Sequence, residues 1–418
     1  MTASSRRSSR SAGALPAVKL LRSATLIPLL FYAASGGAFA LANLLLARRL
    51  TERDYALVTL VLAMMTLGPS LATAGLDGVA VRGGVRFVPR IARRIWLAAG
   101  VVALAMGVAG ATYGIGAVGV ALVVAASLAG GATGVAAAEF QRRHRFTLSL
   151  LLLHIPNYAL LLAALLAAAV GAADPWLPLL GMTIGYLGAA VYGWRLVLGE
   201  PRLTSDAAPV PWREALSLAA TNASGSIMGQ LDRLIIPYLL PFGSLATYGV
   251  LASVAGSLFR VVQRGVGYAL LPRLRAAVDV GERRRLLAAE ARLVAAVALG
   301  GSLVVWVAMP VVEHWLLNDR YHFSHALILA TLVAGCAKLL QAFSRAGVTA
   351  LADARELGLM NLAGWVSLAV SVVGATIGSR WGLAGVIYGV GLGWLVRTAA
   401  ALVVMQRHLR PVEQRAGS

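Results

Sequence analysis

The stretch Gly229–Gly265, GQLDRLIIPYLLPFGSLATYGVLASVAGSLFRVVQRG, decides how the rest of this chain is interpreted. It is mostly apolar and long enough to cross a lipid bilayer twice. It nevertheless contains five strongly polar residues, Asp232, Arg233, Arg260, Gln263 and Arg264. A charge at the bilayer centre costs about 2.5–3.5 kcal/mol on insertion scales, so such residues face protein or a water-filled cavity. The stretch therefore predicts a polar pathway inside a bundle of membrane-spanning helices.

The composition of the chain supports this interpretation. Of 418 residues, 59% are hydrophobic and only 13% are charged, which is typical of a polytopic membrane protein. Basic residues outnumber acidic ones by 37 to 17, and only Lys19 and Lys338 are lysines. We do not interpret this arginine excess as a nucleic-acid signature, and we expect no nucleic-acid partner. Cys336 is the single cysteine, so a disulfide within the chain is excluded.

No motif of an enzyme or of a cofactor site stands in a suitable context. Gly114–Gly119 matches G-x-G-x-x-G, but it lies in a turn between two apolar spans with no strand before it, so we interpret it as a membrane turn. Neither lysine follows a glycine, so no phosphate-binding loop of the ATPase type can be drawn. One predicted outer loop contains three histidines and two acidic residues, Glu313, His314, Asp319, His322 and His325. A solvated loop explains them better than a metal site. We therefore expect a protein that is not an enzyme and that has no cofactor and no metal.

Runs of about twenty apolar residues predict twelve membrane-spanning helices. They lie near 24–47, 55–76, 95–113, 116–138, 147–171, 175–198, 213–240, 244–272, 286–312, 323–347, 357–378 and 382–405. The fold class is thus an all-α polytopic membrane protein. We expect a disordered N-terminus at 1–23, a six-helix lobe at 24–200, a linker at 201–212, a second six-helix lobe at 213–406 and a tail at 407–418.

The arginines predict the orientation of the chain in the membrane. Basic residues number 27 at the two termini and in the even-numbered connections, and five in the odd-numbered connections. Because basic residues favour the inner face, both termini are expected in the cytoplasm. The basic amphipathic stretch Gly281–Arg292 is expected to lie along the inner surface, near anionic lipid.

Charged residues in the C-terminal half predict a binding site. At 1.5 Å per residue, four cations from three spans reach one level in the inner half of the bilayer, Arg260, Arg264, Lys338 and Arg397. The seventh span adds Arg233 and a polar stripe of Asn222, Ser226 and Gln230, and Gln263 accompanies the eighth. Spans one to six contain nothing comparable, so the polar lumen is expected in the C-terminal half. Snorkelling to the inner headgroups is the alternative for Arg264, Lys338 and Arg397.

Several short motifs resemble those of polysaccharide flippases of the multidrug/oligosaccharidyl-lipid/polysaccharide superfamily. Leu50–Ala56, LTERDYA, resembles their L-x-P-x-E-F-G turn, with Thr51 in place of the proline. The pattern from Asp232–Ile236 to Tyr248–Ala252 resembles their seventh and eighth spans. Two further segments resemble the flanks of their tenth span, Asp319–Tyr321 and Leu351–Arg355.

The resemblance implies a MATE-like fold and a Wzx-type flippase in a bacterial cytoplasmic membrane. Such a protein moves an undecaprenyl-diphosphate-linked oligosaccharide to the outer leaflet, and its partners are membrane lipids and proteins of polysaccharide assembly. A cationic inner cavity suits a diphosphate, and arginine binds it better than lysine through paired hydrogen bonds. The resemblance also implies a coupling sodium ion, for which Asp232 and Asn361 match the family's ligands, although pairing of Asp232 with a neighbouring arginine is an alternative.

Three other functions stay open at this stage. A drug or cation antiporter needs carboxylates in the lumen, and Asp232 is the only deep one. A lipid II flippase usually has fourteen spans. A membrane scaffold without transport activity would gain nothing from the cost of buried charge.

The predicted orientation is testable by cysteine labelling of intact cells. We expect an impermeant reagent to label Ser379→Cys and Asp319→Cys, which lie in outer connections, and not Arg284→Cys. Labelling of Arg284→Cys in intact cells would reverse the assignment.

Overall fold

A computed structural model describes residues 26–81, 89–199, 210–277 and 279–409, and these residues form twelve long helices with no strand. The helices are α1 (Leu26–Arg49), α2 (Glu52–Ala72), α3 (Pro89–Thr112), α4 (Gly116–Arg142), α5 (Phe146–Ala169), α6 (Trp176–Gly199), α7 (Trp212–Leu239), α8 (Gly243–Ala276), α9 (Val280–Val311), α10 (His325–Leu351), α11 (Ala354–Gly378) and α12 (Gly382–His408). A short helix, Leu76–Val81, follows α2. A π-helical segment Val312–Leu316 and a 3₁₀ segment Ser379–Trp381 occupy two of the connections.

The predicted all-α membrane fold with about twelve helices is confirmed. The division between the third and fourth spans falls at Gly114 and Gly116, whose φ angles of 68° and 75° suit glycine and end the helix. Nine stretches of the described residues are long and apolar enough to cross a membrane, and the last of them contains both α11 and α12. Helices α7 and α8, which carry the charges of the opening stretch, are not among the nine.

The helices pack as two six-helix lobes with the same internal arrangement. In the N-terminal lobe, the pairs in contact include α2 with α4, α4 with α6, α5 with α6, and α1 with α5. The corresponding pairs six helices later are also in contact, namely α8 with α10, α10 with α12, α11 with α12, and α7 with α11. Between the lobes, α1 contacts α8 and α2 contacts α7. This pattern is typical of two parallel repeats related by an axis along the membrane normal.

Short connections make successive helices antiparallel, so α1 begins and α12 ends on the same side of the bundle. We call this the termini side and the opposite one the far side. Residues of the two lobes contact each other on the far side. The Tyr113 hydroxyl donates to the Leu234 carbonyl at 2.7 Å, and its ring lies 4.8 Å from the Tyr238 ring.

Two expectations about helix bounds are corrected by the structure. Gly281–Arg292 is the beginning of the continuous helix α9 and not a separate surface helix. Asp279 caps this helix, because its side chain accepts from the Glu282 backbone N–H at 3.3 Å. The tenth span, expected near 323–347, continues to Leu351, so α10 is longer at its C-terminal end than the sequence predicts.

Some predicted segments lie outside the described residues. They are the N-terminus at 1–23, most of the linker at 201–212 and the end of the tail at 410–418. The lobe boundaries drawn from sequence stay predictions.

Candidate functional site

Two cavities lie inside the helical bundle and share part of their lining. The C-lobe chamber, about 740 Å³, is lined mainly by α7, α8 and α10. The N-lobe chamber, about 1050 Å³, is lined mainly by helices of the N-terminal lobe. Eight residues line both, Ser70, Asn222, Ser226, Gly229, Gln230, Arg260, Arg345 and Thr349. Because the same residues line both chambers, we treat them as two halves of one lumen.

The polar stripe of α7 lies on this lumen. Asn222, Ser226 and Gln230 follow one another at intervals of four residues, which places them on one helical face. The Ser226 hydroxyl lies 2.6 Å from the hydroxyl of Ser70 on α2, so the stripe also contacts the other lobe. Gln263 lines the C-lobe chamber from α8. The structure therefore brings all four predicted polar residues to one cavity.

Helix α10 contributes a second polar stripe that the sequence analysis did not identify as a unit. It comprises Lys338, Gln341, Arg345 and Thr349, all of which line the C-lobe chamber. Their spacing of three and four residues is the signal that could have revealed the stripe. Arg345 is exposed to the lumen and makes no salt bridge within the described part of the chain.

Asp232 forms the best-defined ion pair of the site. The Lys338 ammonium on α10 donates to Asp232 Oδ2 at 2.7 Å, and the Tyr248 hydroxyl on α8 donates to the same oxygen. The Asp232 side chain is 5% exposed, against 23% for that of Lys338. Asp232 Oδ1 is buried and has no hydrogen-bond partner among the described residues. The partner of Asp232 is thus a lysine from another helix and not a neighbouring arginine.

Two predicted arginines line the lumen in different ways. The Arg260 guanidinium lies 5.3 Å from the centre of the Phe39 ring, so this cation–π contact connects α8 to α1. Arg260 lines both chambers. Arg233 is buried, and its Nη1 donates to Gln230 Oε1 at 3.1 Å. The side chain of Arg264 lies outside the described residues.

Arg397 is displaced from the place that the sequence predicts for it. It is 5% exposed and does not line either chamber. Its Nη2 lies 3.5 Å from the Ser224 hydroxyl, and positions Gly225 and Gly364 lie beside the guanidinium. Arg397 therefore lies between α7, α11 and α12, behind the wall of the lumen. Arg397 interacts electrostatically with Arg345, which lines the lumen. The charge of Arg397 therefore still adds positive potential to the lumen wall.

Asp232 and Asn361 are not brought together. A side chain at Gly364 would contact the Ser224 hydroxyl, so these two positions lie at one level. From there Asp232 is eight residues towards the far side and Asn361 three residues towards the termini side, which separates them by about 16 Å along the bundle. A hard cation holds its oxygen ligands at about 2.3–2.6 Å. One ion cannot contact both residues in this arrangement.

The outer histidines form pairs and not a metal cluster. His314 Nδ1 lies 2.8 Å from Asp319 Oδ2, and His322 Nδ1 lies 4.0 Å from Glu313 Oε2. Within the described ranges, no group of three or more His, Cys, Asp or Glu side chains is placed to hold a metal ion.

The net charge of the C-lobe chamber is positive. Its described lining contains four cations, Arg233, Arg260, Lys338 and Arg345. It contains one acidic residue, Asp232, which Lys338 already neutralises. The arrangement suits an anionic ligand, because arginines can donate paired hydrogen bonds to phosphate or carboxylate oxygens.

Comparison with known proteins gives matches among solved structures only. No protein-family model and no curated protein matches the sequence. An inward-facing multidrug-resistance MATE transporter of the MOP superfamily superposes with a TM-score of 0.65 at 12% identity, over 94% of this chain and 99% of that one. The chain has the MATE fold.

Two further structures extend this likeness. The eukaryotic MATE transporter AtDTX14 gives a TM-score of 0.62 at 13% identity, over 94% of this chain and 98% of that one. The lipid II flippase MurJ in an inward closed conformation gives 0.57 at 11% identity, over 91% of this chain and 87% of that one. At these identities the likeness concerns the fold.

The Asp232–Lys338 pair is testable by a double-mutant cycle. Asp232→Asn or Lys338→Met alone leaves one charge without its partner, and the double variant leaves neither. We expect each single variant to lower the thermal midpoint of the detergent-purified protein more than the double variant does, with a coupling free energy of about 1–3 kcal/mol. Additive effects of the two substitutions would show that the pair contributes nothing to stability.

Proposed function

We propose that this protein is a bacterial flippase that moves a polyprenyl-diphosphate-linked oligosaccharide from the cytoplasmic to the outer leaflet for cell-surface polysaccharide synthesis. The MATE-type fold, shared with transporters and with a lipid II flippase, supports a transport function. The observation that carries the choice of substrate is the cationic lining of the C-lobe chamber. A diphosphate headgroup provides the negative charge that this lining lacks.

Two arginines are the best candidates to bind the diphosphate. Arg260 and Arg345 line both chambers, so each can contact a ligand that occupies either half of the lumen. They come from α8 and α10, two helices that contact each other. Lys338 lies about 10 Å further towards the far side than Arg345, since seven residues separate the two. Cations therefore line the path from the termini side towards the far side.

The arrangement of the lobes supports loading from the termini side. The lobes contact each other on the far side, where Arg320 Nη1 donates to the Arg48 carbonyl at 3.4 Å and the rings of Tyr55 and Tyr321 lie 6.5 Å apart. On the termini side, Gly75 and Gly78 after α2 pack against Ala215 and Leu218 at the beginning of α7. The N-lobe chamber is lined from the half of the bundle nearer the termini. With the termini in the cytoplasm, as the arginines predict, this is an inward-facing state.

The alternative functions differ in the charge that the lumen must accommodate. A cation or drug antiporter needs carboxylates in the lumen. The described lining has only two, Asp232, which is paired with Lys338, and Asp77, against four cations, so the net charge of the lumen favours an anion. A lipid II flippase also handles a lipid-linked diphosphate. Its substrate differs from the substrate proposed here in the glycan and not in the diphosphate that the cationic wall would bind. A scaffold needs no lumen. Accumulation of a lipid-linked oligosaccharide inside cells that lack this protein separates our proposal from the antiporter, and the identity of the accumulated glycan separates it from the lipid II flippase. Loss of export when only lumen residues are replaced separates it from the scaffold.

The coupling proposal now depends on Asp232 alone. Asn361 lies too far away to complete a sodium site with it, as shown above. Asp232 Oδ1 is a buried acceptor without a partner among the described residues, and the other oxygen binds Lys338. We propose that Asp232 senses the coupling ion through this pair, because an ion that binds the carboxylate must compete with the lysine.

The arginine proposal is tested by transport measurements. Charge-assisted hydrogen bonds contribute about 1.5–3 kcal/mol each, so Arg260→Ala or Arg345→Ala should lower substrate affinity about tenfold or more. Lysine at either position should restore part of the loss, because it keeps the charge and loses the paired geometry. The readout is glycan export normalised to the amount of protein in the membrane.

Arg292→Ala is the matched control for these variants. Arg292 is an exposed arginine on α9, outside the lumen, and its replacement should leave normalised export unchanged. If the double variant Arg260→Ala/Arg345→Ala exports as much glycan per molecule as the wild type, the two arginines do not bind the substrate.

The coupling proposal is tested with Asp232→Asn in membrane vesicles. Because asparagine has no charge to attract a cation, we expect export by this variant to lose its dependence on an imposed ion gradient. Glu282→Gln, which neutralises an exposed acidic residue of α9 that lines neither chamber, should keep the dependence. An unchanged gradient dependence in Asp232→Asn would exclude Asp232 as the coupling residue.

A further inference from the structure

The two walls of the lumen differ in chemistry. Every described lysine or arginine that lines either chamber comes from the C-terminal lobe. The N-terminal lobe contributes hydroxyl, amide and aromatic side chains to the N-lobe chamber, with one histidine and one acidic residue. From the sequence, the polar lumen was expected in the C-terminal half. The polar side chains of the first six helices also reach the lumen, because they are scattered along several helices and converge only in the folded bundle.

The polar groups of the N-terminal wall are partly organised. Asn157 on α5 donates through Nδ2 to the Ser35 hydroxyl on α1 at 2.7 Å. This bond uses one of the two amide N–H groups and does not engage Oδ1. The edge of the Tyr32 ring meets the His154 ring at 5.0 Å, with the planes 88° apart. Helices α1 and α5 thus present a pre-formed surface of hydrogen-bonding groups.

Other side chains complete this surface from α4, α6 and the short helix. Gln141 lies at the end of α4, and Tyr186 lies on α6 and is partly buried. The short helix provides Asp77, whose Oδ1 is buried with no hydrogen-bond partner in the described part of the chain. A buried carboxylate oxygen without a partner is costly, and a hydroxyl group of a ligand would satisfy it.

We propose that this N-terminal wall binds the saccharide part of the transported lipid, while the C-terminal wall binds its diphosphate. Sugars carry many hydroxyl groups that donate and accept hydrogen bonds, and amide and carboxylate side chains match both roles. The apolar C–H faces of a pyranose pack against tyrosine rings, which offer an apolar body with a polar end. A chamber of about 1050 Å³ has room for a short oligosaccharide.

This assignment rests on the proposed function and adds a division of labour between the lobes. A substrate that contacts both lobes can directly influence the position of one lobe relative to the other. A diphosphate held by α8 and α10 and a glycan held by α1 and α5 bridge the interface where α1 contacts α8. A ligand shifts an equilibrium between two states only if it binds them differently, and a bridging ligand satisfies that condition when the lobes move apart.

The test compares two probes on the purified full-length protein. One probe is inorganic pyrophosphate, and the other is the lipid-linked oligosaccharide extracted from cells that lack this protein. We expect Asn157→Ala to weaken binding of the lipid-linked oligosaccharide about threefold or more, and Asn157→Ala/Gln141→Ala about tenfold, with pyrophosphate binding unchanged. Arg345→Ala should weaken binding of both probes. Gln406→Ala, an exposed amide at the end of α12, is the matched control and should change neither.

Each outcome separates the two proposals. If cells lacking the protein accumulate no lipid-linked oligosaccharide, or the wild type does not bind it, the proposed function fails. If the wild type binds both probes and the N-terminal variants bind the oligosaccharide normally, the saccharide assignment alone is overturned. Asn157→Ala also removes the partner of Ser35, so pyrophosphate binding serves as its folding control. If Asn157→Ala does not bind pyrophosphate normally, the binding of the oligosaccharide by Gln141→Ala alone decides the saccharide assignment. No side-chain hydrogen bond in the described structure depends on Gln141.

Discussion

The cost of burying charge in an apolar bundle is the constraint on which this structure depends. A buried carboxylate or ammonium group loses its hydration, and only close partners compensate for that loss. Asp232 has two such partners on one oxygen, Lys338 from α10 and Tyr248 from α8. These contacts connect three helices of the C-terminal lobe at the inner wall of the lumen. The described lining of the C-lobe chamber contains four cations and one acidic residue, Asp232, so the net positive charge makes the wall attractive to anions.

The fold makes such a wall possible because it separates the lipid-facing surface from the lumen. Helix α9 packs mainly against α8 and α10 and exposes large apolar side chains such as Leu299, Leu303 and Val307. Helices α7 and α8 lie between the lobes, where polar side chains meet other polar side chains or the cavity. Polar residues inside membrane bundles generally mark the path of a substrate or an ion. The lumen is therefore where the proposed substrate would bind.

The two lobes repeat the same packing but not the same chemistry. Equivalent helix pairs are in contact in both lobes, which is expected of parallel repeats. The C-terminal lobe nevertheless provides arginine and lysine, and the N-terminal lobe provides amides, hydroxyls and tyrosines. A ligand with a charged part and a neutral polar part matches this asymmetry. The two lobes thus share their packing, while the chemistry of the lumen differs between them.

The sequence by itself determined the helices and the polar face of α7. Twelve apolar runs are long enough to span a bilayer, and a residue spacing of four places Asn222, Ser226 and Gln230 on one side of a helix. The level of a residue along the bundle also follows from the sequence, because the rise per residue is constant. Only the tertiary structure decided which neighbour each face meets. It pairs Asp232 with Lys338, places Arg397 behind the wall and adds Arg345 to the lumen. The reason is that periodicity defines a face relative to its own helix axis, while the rotation and neighbours of that helix come from packing against the others.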